Sequence, residues 1–255
     1  AVEWATIDED KTKRTKLQNS AIDDAPAFFT ARALSNAASD LDSLKSNIDL
    51  AISTIQSAID GIDAITELVN QAKGLASNAK ATGDTNERST LAVQFNELLS
   101  QIDSLANDSS FNGTNLLQAS PDNLAVEFNS ANTSNLTITG LDATTASTGI
   151  NIAVAANNFG LNANIDTALT AISSALTTLR SNASTMGSNN TILSTRLNFT
   201  ENLVNTLEGG EGKLTLADLN EESANLLALQ TRQQLGINSL ALAAQSERSI
   251  LALFG

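Results

Sequence analysis

The chain has 255 residues with no Cys, His or Tyr, and 28 acidic against 14 basic residues give it a formal net charge of −14. These absences exclude disulfides, thiol nucleophiles, His-based triads and Cys/His metal sites, and the acidity argues against binding to nucleic acid or anionic lipid. Aromatic residues make up only 4%, so Ala, Leu, Ile and Val must form the core, which favours thin helix-on-helix seams.

The first predicted helix begins near residue 20. Residues 1–18 are charge-dense and are compatible with either a helix or a frayed lead-in. Ser20 and Asp23 then have the spacing of a capping box, and Pro26 is tolerated in a first helical turn. The acidic run at 8–10 lacks the loop geometry and the anchoring Gly of a cation site, so we expect a solvated charge run and no metal.

Two apolar stripes follow, with a predicted break at Gly83 and Asp84 between them. Steps of three and four residues place each stripe on one face of a long helix. The first continues more weakly through Val69, Ala72 and Ala76. The members of the first stripe are Leu41, Leu44, Ile48, Ile52, Ile55, Ile59, Ile62 and Ile65, and those of the second are Leu91, Phe95, Leu98, Ile102 and Leu105.

Residues 107–160 change character and become rich in Ser, Thr and Asn. The stretches NDSSFNGTNLL and SPDN are typical of turns. Three alternating or β-branched pieces at 124–128, 135–140 and 149–155 predict short strands arranged as hairpins.

The third stripe is the longest, and it predicts a helix of some 42 residues from Ile165 to Leu207. Only Asn190 and Thr200 interrupt its apolar core positions. The sequence GGEG at 209–212 predicts the end of this helix, because Gly is unfavourable in a helix interior. From Leu214 onward the chain is apolar on more than one face, so the last helix has to be buried.

These elements predict a mainly α fold, a long antiparallel coiled-coil helical rod with a small β-hairpin insert and terminal helices paired at one end. No apolar run is long enough for a membrane span, and no residue constellation predicts catalysis or a cofactor. The predicted segments are a lead-in at 1–30, N-terminal rod helices at 31–110, the β-hairpin insert at 111–160, a C-terminal rod helix at 161–210 and a C-terminal helix at 211–255.

Three motifs in this order resemble bacterial flagellin, and the resemblance covers about residues 19–255. They are NSAIDDAPAFFTARAL at 19–34, FNG followed by TNLL at 111–117, and ADLNEESANLLALQTRQQLGINSLALAAQSERSILALFG at 217–255. The FFTARAL variant is similar to flagellins of alphaproteobacterial type. One departure is that only 18 residues precede Asn19, where the family has a longer helix, so we expect the partner of the C-terminal helix to be short or altered.

The resemblance implies a structural subunit that polymerises into the extracellular flagellar filament for swimming, with no enzymatic activity. It implies unfolded export by the flagellar type III apparatus, and as partners other copies of the chain, an export chaperone and the cap and junction proteins. The C-terminal helix would make the inner-tube contact between subunits. Its predicted interface residues are Leu227, Leu235, Leu242, Ile250, Leu253 and Phe254.

Two further expectations concern partners. Family members sensed by the flagellin-binding Toll-like receptor present an Arg, a Glu and a Leu on the first rod helix, where this chain has Gln71, Gly74 and Leu75. Weak or absent receptor activation is therefore expected.

The alternative function is a hook–filament junction protein or a cell-surface binding protein, although the closing SILALFG favours the filament and the few aromatic residues disfavour a ligand-binding groove.

Overall fold

The computed structural model describes residues 25–215 and 219–254, and within the second range it describes the side chains of 227–242, 244 and 245. The elements are α1 (Ala25–Ala81), α2 (Thr85–Asp108), β1 (Ser110–Phe111), β2 (Thr114–Asn115), β3 (Asn123–Glu127), β4 (Asn135–Thr139), a one-turn segment (Ala156–Phe159), α3 (Asn162–Thr215) and α4 (Leu219–Phe254). The predicted mainly α fold is confirmed. The predicted capping box and acidic run lie outside the described residues, and so do residues 1–24 of the lead-in predicted at 1–30. Residues 25–30 of that lead-in are instead the start of the long helix α1, which begins before the predicted boundary at 31.

The chain divides into two compact units. One is Ala37–Asn205, and the other consists of the chain on either side of it. In the first unit the predicted stripe of α1 is the buried seam, with Ile48, Ile55 and Ile65 fully buried. Ala51 and Ala58 are buried between them. The small Ala side chains let the neighbouring helices approach closely along this seam.

Helix α2 begins where the break was predicted. Asp84 is its N-cap, and its carboxylate accepts a hydrogen bond from the Asn86 backbone N–H at 2.8 Å. Phe95 and Ile102 of the predicted stripe are buried. The other members of that stripe, Leu91, Leu98 and Leu105, are only half-buried. The fully buried positions of α2 are Ala92, Phe95, Leu99, Ile102 and Ala106. The core face is therefore rotated slightly from the predicted one.

Helix α3 runs antiparallel to α1 in the first unit. Lys80 near the end of α1 forms an ion pair with Asp166 near the start of α3. At the other end, the hydrogen bond and charge of Asp42 raise the pKa of Lys45 above its ordinary value, and Glu201 of α3 adds to the same shift. Both observations agree with an antiparallel arrangement, because residues near the end of α1 face the start of α3 and residues earlier in α1 face a later part of α3.

The polar interruptions predicted in α3 lie in the seam. Thr200 is buried. The side-chain oxygen of Asn190 is buried and has no hydrogen-bond partner among the described residues. An unpaired buried acceptor is destabilising, so this position weakens an otherwise apolar stripe.

The insert contains two small antiparallel hairpins. Asn112 and Gly113 both have positive φ and form the tight turn between β1 and β2, as expected for an Asn-Gly pair in a two-residue hairpin loop. β3 pairs with β4 in a register that places Val126 opposite Leu136. The strands predicted at 124–128 and 135–140 are thus confirmed within one residue.

The strand predicted at 149–155 is wrong. Ile150 and Ile152 are buried as alternation requires, but Asn151 has a φ of 54° and breaks the extended backbone. The Ile150 and Ile152 N–H groups donate to the carbonyls of Thr144 and Thr145 in the preceding loop. The segment packs like a strand but has no neighbouring strand to pair with.

The helix end predicted at GGEG, 209–212, is also wrong, because α3 continues to Thr215. At Gly210 a Cβ atom would lie 3.3 Å from Cδ1 of Leu34 on α1. The missing side chain therefore lets Leu34 approach the helix backbone closely. This packing offsets the low helix propensity of Gly, which amounts to about 1 kcal/mol per residue.

Candidate functional site

The described side chains of α4 are exposed throughout the stretch from 227 to 242. Six of them are large and apolar, with 54% to 74% of each accessible to solvent. Singly exposed apolar residues are ordinary, but a run of them on one helix marks an interaction surface. The six residues are Leu227, Leu229, Leu235, Ile237, Leu240 and Leu242.

These six side chains form two faces of α4. Leu227, Leu235 and Leu242 are separated by eight and seven residues, which places them on one side of a helix with 3.6 residues per turn. The remaining three residues are Leu229, Ile237 and Leu240. At 3.6 residues per turn they fall on the opposite side of the helix. The helix can therefore be covered from two directions.

The interface residues predicted from sequence fall into two groups. Leu227, Leu235 and Leu242 lie together on the first face and are exposed. Ile250, Leu253 and Phe254 belong to the same helix, but their side chains are outside the described set. The predicted set did not include Leu229, Ile237 and Leu240 of the second face, although the sequence had indicated a helix that is apolar on more than one face.

A groove lies between α1 and α2. Its volume is about 660 Å³, and it is open to solvent. Its lining includes two half-buried leucines, Leu75 and Leu98, and one acid, Glu97. The rest of its lining is Gln71, Gly74, Asn78, Gln94 and Gln101. The three positions aligned above with the receptor-facing residues, Gln71, Gly74 and Leu75, all lie in this groove.

Gly74 has no internal reason to be a glycine. It lies inside α1 with a helical backbone, and a Cβ atom built on it would have no heavy atom within 4 Å. Gly in a helix interior costs about 1 kcal/mol relative to Ala. The packing of the chain around Gly74 therefore does not require a glycine at this position.

A second exposed apolar feature lies on α3 and is called the knob. It consists of Ile192, Arg196 and Phe199, whose steps of four and three place them on one helix face. Ile192 and Phe199 are exposed. The guanidinium of Arg196 lies 4.9 Å from the ring centroid of Phe128, which follows β3, in a cation–π contact within the chain.

None of these surfaces carries catalytic chemistry. Among the described residues, no three acidic side chains cluster as metal ligands would. No described helix has an apolar stretch long enough to cross a bilayer. These surfaces present apolar faces, amide groups and a few isolated charges, which are groups that make contacts between proteins.

Comparison with protein families agrees with the sequence motifs. The model of the bacterial flagellin N-terminal helical region matches residues 16–122, and that of the bacterial flagellin C-terminal helical region matches residues 169–254. The two matches therefore flank the β3–β4 hairpin and the loop that follows it.

Individual relatives and a solved structure give the same result. Flagellin FljK of Caulobacter vibrioides is 34% identical over 242 residues, which cover 92% of this chain and 85% of the relative. A flagellin of Brucella melitensis is 32% identical over 179 residues, covering 67% and 63%. The crystal structure of Bacillus cereus flagellin aligns with a TM-score of 0.52 at 19% identity, over 60% of this chain and 88% of that one; this likeness shows the fold alone.

Proposed function

Because the chain belongs to the bacterial flagellin family, we propose that α4 is the part of the subunit that other copies cover. The chain is a structural subunit of the extracellular flagellar filament and not an enzyme. The proposal assigns the subunit contact to Leu227, Leu235 and Leu242, to Ile250, Leu253 and Phe254 further along α4, and to the opposite face with Leu229, Ile237 and Leu240.

The observation that carries this proposal is the exposure of six large apolar side chains on α4. Complete burial of a Leu or Ile side chain contributes about 1.5–3 kcal/mol. Since roughly two-thirds of each side chain is accessible, covering it would contribute about 1–2 kcal/mol as an upper estimate. Six such residues supply a driving force of the size that a stable assembly needs.

The presence of two faces also bears on the kind of assembly. A helix with one apolar face is satisfied by a single partner, whereas α4 needs cover on both sides. A contact between two different surfaces, repeated from copy to copy, gives a ring when the rotation between copies closes and an open helical filament when it does not. Two covered faces let each α4 touch more than one neighbour, as a tube wall requires.

Electron microscopy of the purified chain after salt-induced assembly tests the proposal. Uniform filaments are the expected result, and their disappearance when α4 is altered would assign the contact to this helix. Monomers that only coat the ends of pre-formed filaments would instead indicate a junction protein. Filaments that form equally well without the apolar side chains of α4 would contradict the proposal.

We also propose the finer partners, by analogy with the family. The chain would leave the cell unfolded through the flagellar type III apparatus, escorted by an export chaperone, and would meet the cap and junction proteins at the filament ends. Long helices with mostly local contacts and no disulfides suit a chain that has to unfold and refold. Retention of the chain inside cells that lack the flagellar export gate is the expected result.

Weak or absent activation of the flagellin-sensing Toll-like receptor is also proposed. The groove positions Gln71 and Gly74 carry no charge, whereas sensed family members present an Arg and a Glu there. A receptor docking on this face would lose two charge-assisted contacts. A reporter assay in which the chain is as potent as an enteric flagellin would refute this.

A further inference from the structure

A run of poor helix formers lies at the centre of α3. Residues 187–191, called the weak segment, are Gly, Ser, Asn, Asn and Thr, and all five rank low in helix propensity. Helix α3 runs from Asn162 to Thr215, so Gly187 is 25 residues from its start and 28 from its end. A long helix frays from its ends. The centre would therefore be its best protected part if the sequence were uniform.

The packing around the weak segment is sparse as well. From 165 to 179 the helix buries six apolar side chains, whereas from 187 to 201, a stretch of the same length, it buries only Leu193 and Thr200. Packing of the apolar face supplies most of the stability of a helix in a protein. The centre of α3 is therefore held less firmly than the part before it. The six buried residues of that earlier part are Ile165, Ala168, Ile172, Ala175, Leu176 and Leu179.

Asn190 occupies the seam position between two buried apolar residues. Met186, four residues before it, and Leu193, three residues after it, are both buried. The side-chain oxygen of Asn190 is buried too, and it has no hydrogen-bond partner among the described residues. Such an acceptor destabilises the closed helix, whereas water satisfies it once the helix opens. Asn190 therefore favours local opening.

Gly187 and the hydroxyl groups nearby act in the same direction. A Cβ atom at Gly187 would have no heavy atom within 4 Å, so the packing does not require a glycine. The Thr191 hydroxyl donates to the Gly187 carbonyl and the Ser194 hydroxyl to the Asn190 carbonyl. Bonds of this kind slightly destabilise a helix. Thr170 makes one too, but it lies where α3 is densely packed.

The helix is held on both sides of the weak segment. Before it, Leu179 and Met186 are buried. After it, Leu193 is buried, and the guanidinium of Arg196 lies 4.9 Å from the ring centroid of Phe128. An opening that starts in the weak segment can therefore remain confined to a few residues.

We propose that the weak segment is an opening point built into α3, where residues 187–191 lose and regain helical structure while the helix persists on both sides. The two parts of α3 then behave as separate cooperative units. A chain that unfolds for export can take such a helix apart in two steps. This consequence rests on the export proposed above, whereas the opening itself does not.

Hydrogen exchange of the full chain as a monomer, measured at low urea concentrations, tests the opening. The amides of 187–194 should have protection factors at least about tenfold lower than those of 172–179. Their exchange should depend little on urea, because a local opening exposes little surface. The proposal is overturned by protection that is highest at the centre of α3, or by exchange there that follows the urea dependence of global unfolding.

Gly187→Ala and Asn190→Leu should repair the weak segment. The first raises the helix propensity and the second removes the unpaired acceptor, so each should raise the protection factors of 187–194 at least about fivefold. The double variant should reach the protection of 172–179. Unchanged protection in the double variant would contradict the assignment of the opening to these two residues.

Gly74→Ala is the matched control. A Cβ atom at Gly74 also meets no heavy atom within 4 Å, but the residue lies on α1. Its replacement should leave the protection factors of 187–194 unchanged, because a local opening of α3 does not involve that part of α1. An equal gain in this control would show that the exchange reports a property of the whole chain and would overturn the local opening.

Secretion separates the opening from the export on which its consequence rests. The double variant should be secreted more slowly than the parent chain, and Gly74→Ala as fast as the parent. Equal secretion of the parent and the double variant would overturn the role of the weak segment in unfolding for export. Secretion of the parent by cells that lack the flagellar export gate would overturn the proposed export and leave the opening, which hydrogen exchange measures, standing.

Discussion

The Lys80 ammonium nitrogen on α1 lies 2.6 Å from Oδ1 of Asp166 on α3. This ion pair joins the last turn of one long helix to the start of the other. The effect of Glu201 on the pKa of Lys45 agrees with the same antiparallel arrangement of the two helices.

Removal of the Lys80–Asp166 pair should have a small effect on stability. Both side chains are about half exposed, 48% and 52%, and solvent screens such pairs so that they contribute about 0.2–1 kcal/mol. A double-mutant cycle of Lys80→Ala and Asp166→Ala, measured by urea unfolding at low salt, should give a coupling energy in this range. The coupling should fall as salt is added, and a value that salt leaves unchanged would contradict a screened pair.

Two glycines in α1 should respond to Ala with opposite signs. Gly74→Ala should raise the free energy of unfolding by about 1 kcal/mol, because the methyl group meets nothing and the helix propensity improves. At Gly61 a Cβ atom would lie 2.6 Å from Oγ of Ser109 and 2.7 Å from Cδ1 of Leu117, so Gly61→Ala should lower it by about 1–3 kcal/mol. Urea unfolding followed by circular dichroism measures both variants, and each serves as the control for the other. Equal effects would contradict the packing around Gly61.

Asn190→Leu should stabilise the chain. The side-chain oxygen of Asn190 is buried without a hydrogen-bond partner among the described residues, and such a group costs about 1–3 kcal/mol. Leu at this heptad position removes that cost and continues the apolar stripe. An increase of about 1–2 kcal/mol in the free energy of unfolding is expected.

The control for Asn190→Leu is Thr195→Leu, an exposed position on the same helix. It should change the free energy of unfolding by no more than about 0.5 kcal/mol. Destabilisation by Asn190→Leu would mean that the amide is needed to specify the helix register, a role that polar residues have at core positions of coiled coils.

Leu242→Asp should abolish filament assembly and leave the helix content unchanged. The side chain is 71% exposed, so a carboxylate is solvated in the monomer but would be buried in the assembly at high cost. We expect the critical concentration to rise more than about 100-fold, which corresponds to about 2.8 kcal/mol. Sedimentation of polymer and far-ultraviolet circular dichroism of the monomer measure the two effects.

Leu161→Asp introduces the same charge at another exposed leucine and should assemble normally. Equal loss of assembly in the two variants would show that added negative charge, and not the α4 contact, is responsible. This control matters because the chain already carries a net charge of −14.

Local sequence signals predicted much of the fold correctly because each depends on residues close together in the chain. The three-and-four spacing in α1 identified its buried face, including Ile48 and Ile55. The Asn112–Gly113 pair specified a tight hairpin turn through its positive φ values. The apolar character of α4 on more than one face indicated a surface that needs a partner, although the predicted interface residues did not include Leu229, Ile237 and Leu240.

Other features depend on contacts between distant residues, and local signals do not report these. Phe159 is fully buried with its ring centroid 5.1 Å from that of Phe95, and it has a φ of 59° after two Asn residues that also have positive φ. The backbone cost of this left-handed turn is offset by aromatic packing against α2. Nothing in the residues around Phe159 identifies its partner.

The apolar helix α4, singled out from the sequence as a surface that must be buried, is a long helix with both faces exposed where its side chains are described. The sequence by itself determined the helix faces, the hairpin turn and the need of α4 for a partner, because periodicity and turn chemistry act within a few residues. Only the tertiary structure decided that 149–155 has no strand partner among the described residues and that α3 passes through GGEG beside Leu34. Those outcomes depend on which distant surfaces meet, and a choice among competing long-range contacts leaves no local pattern in the chain.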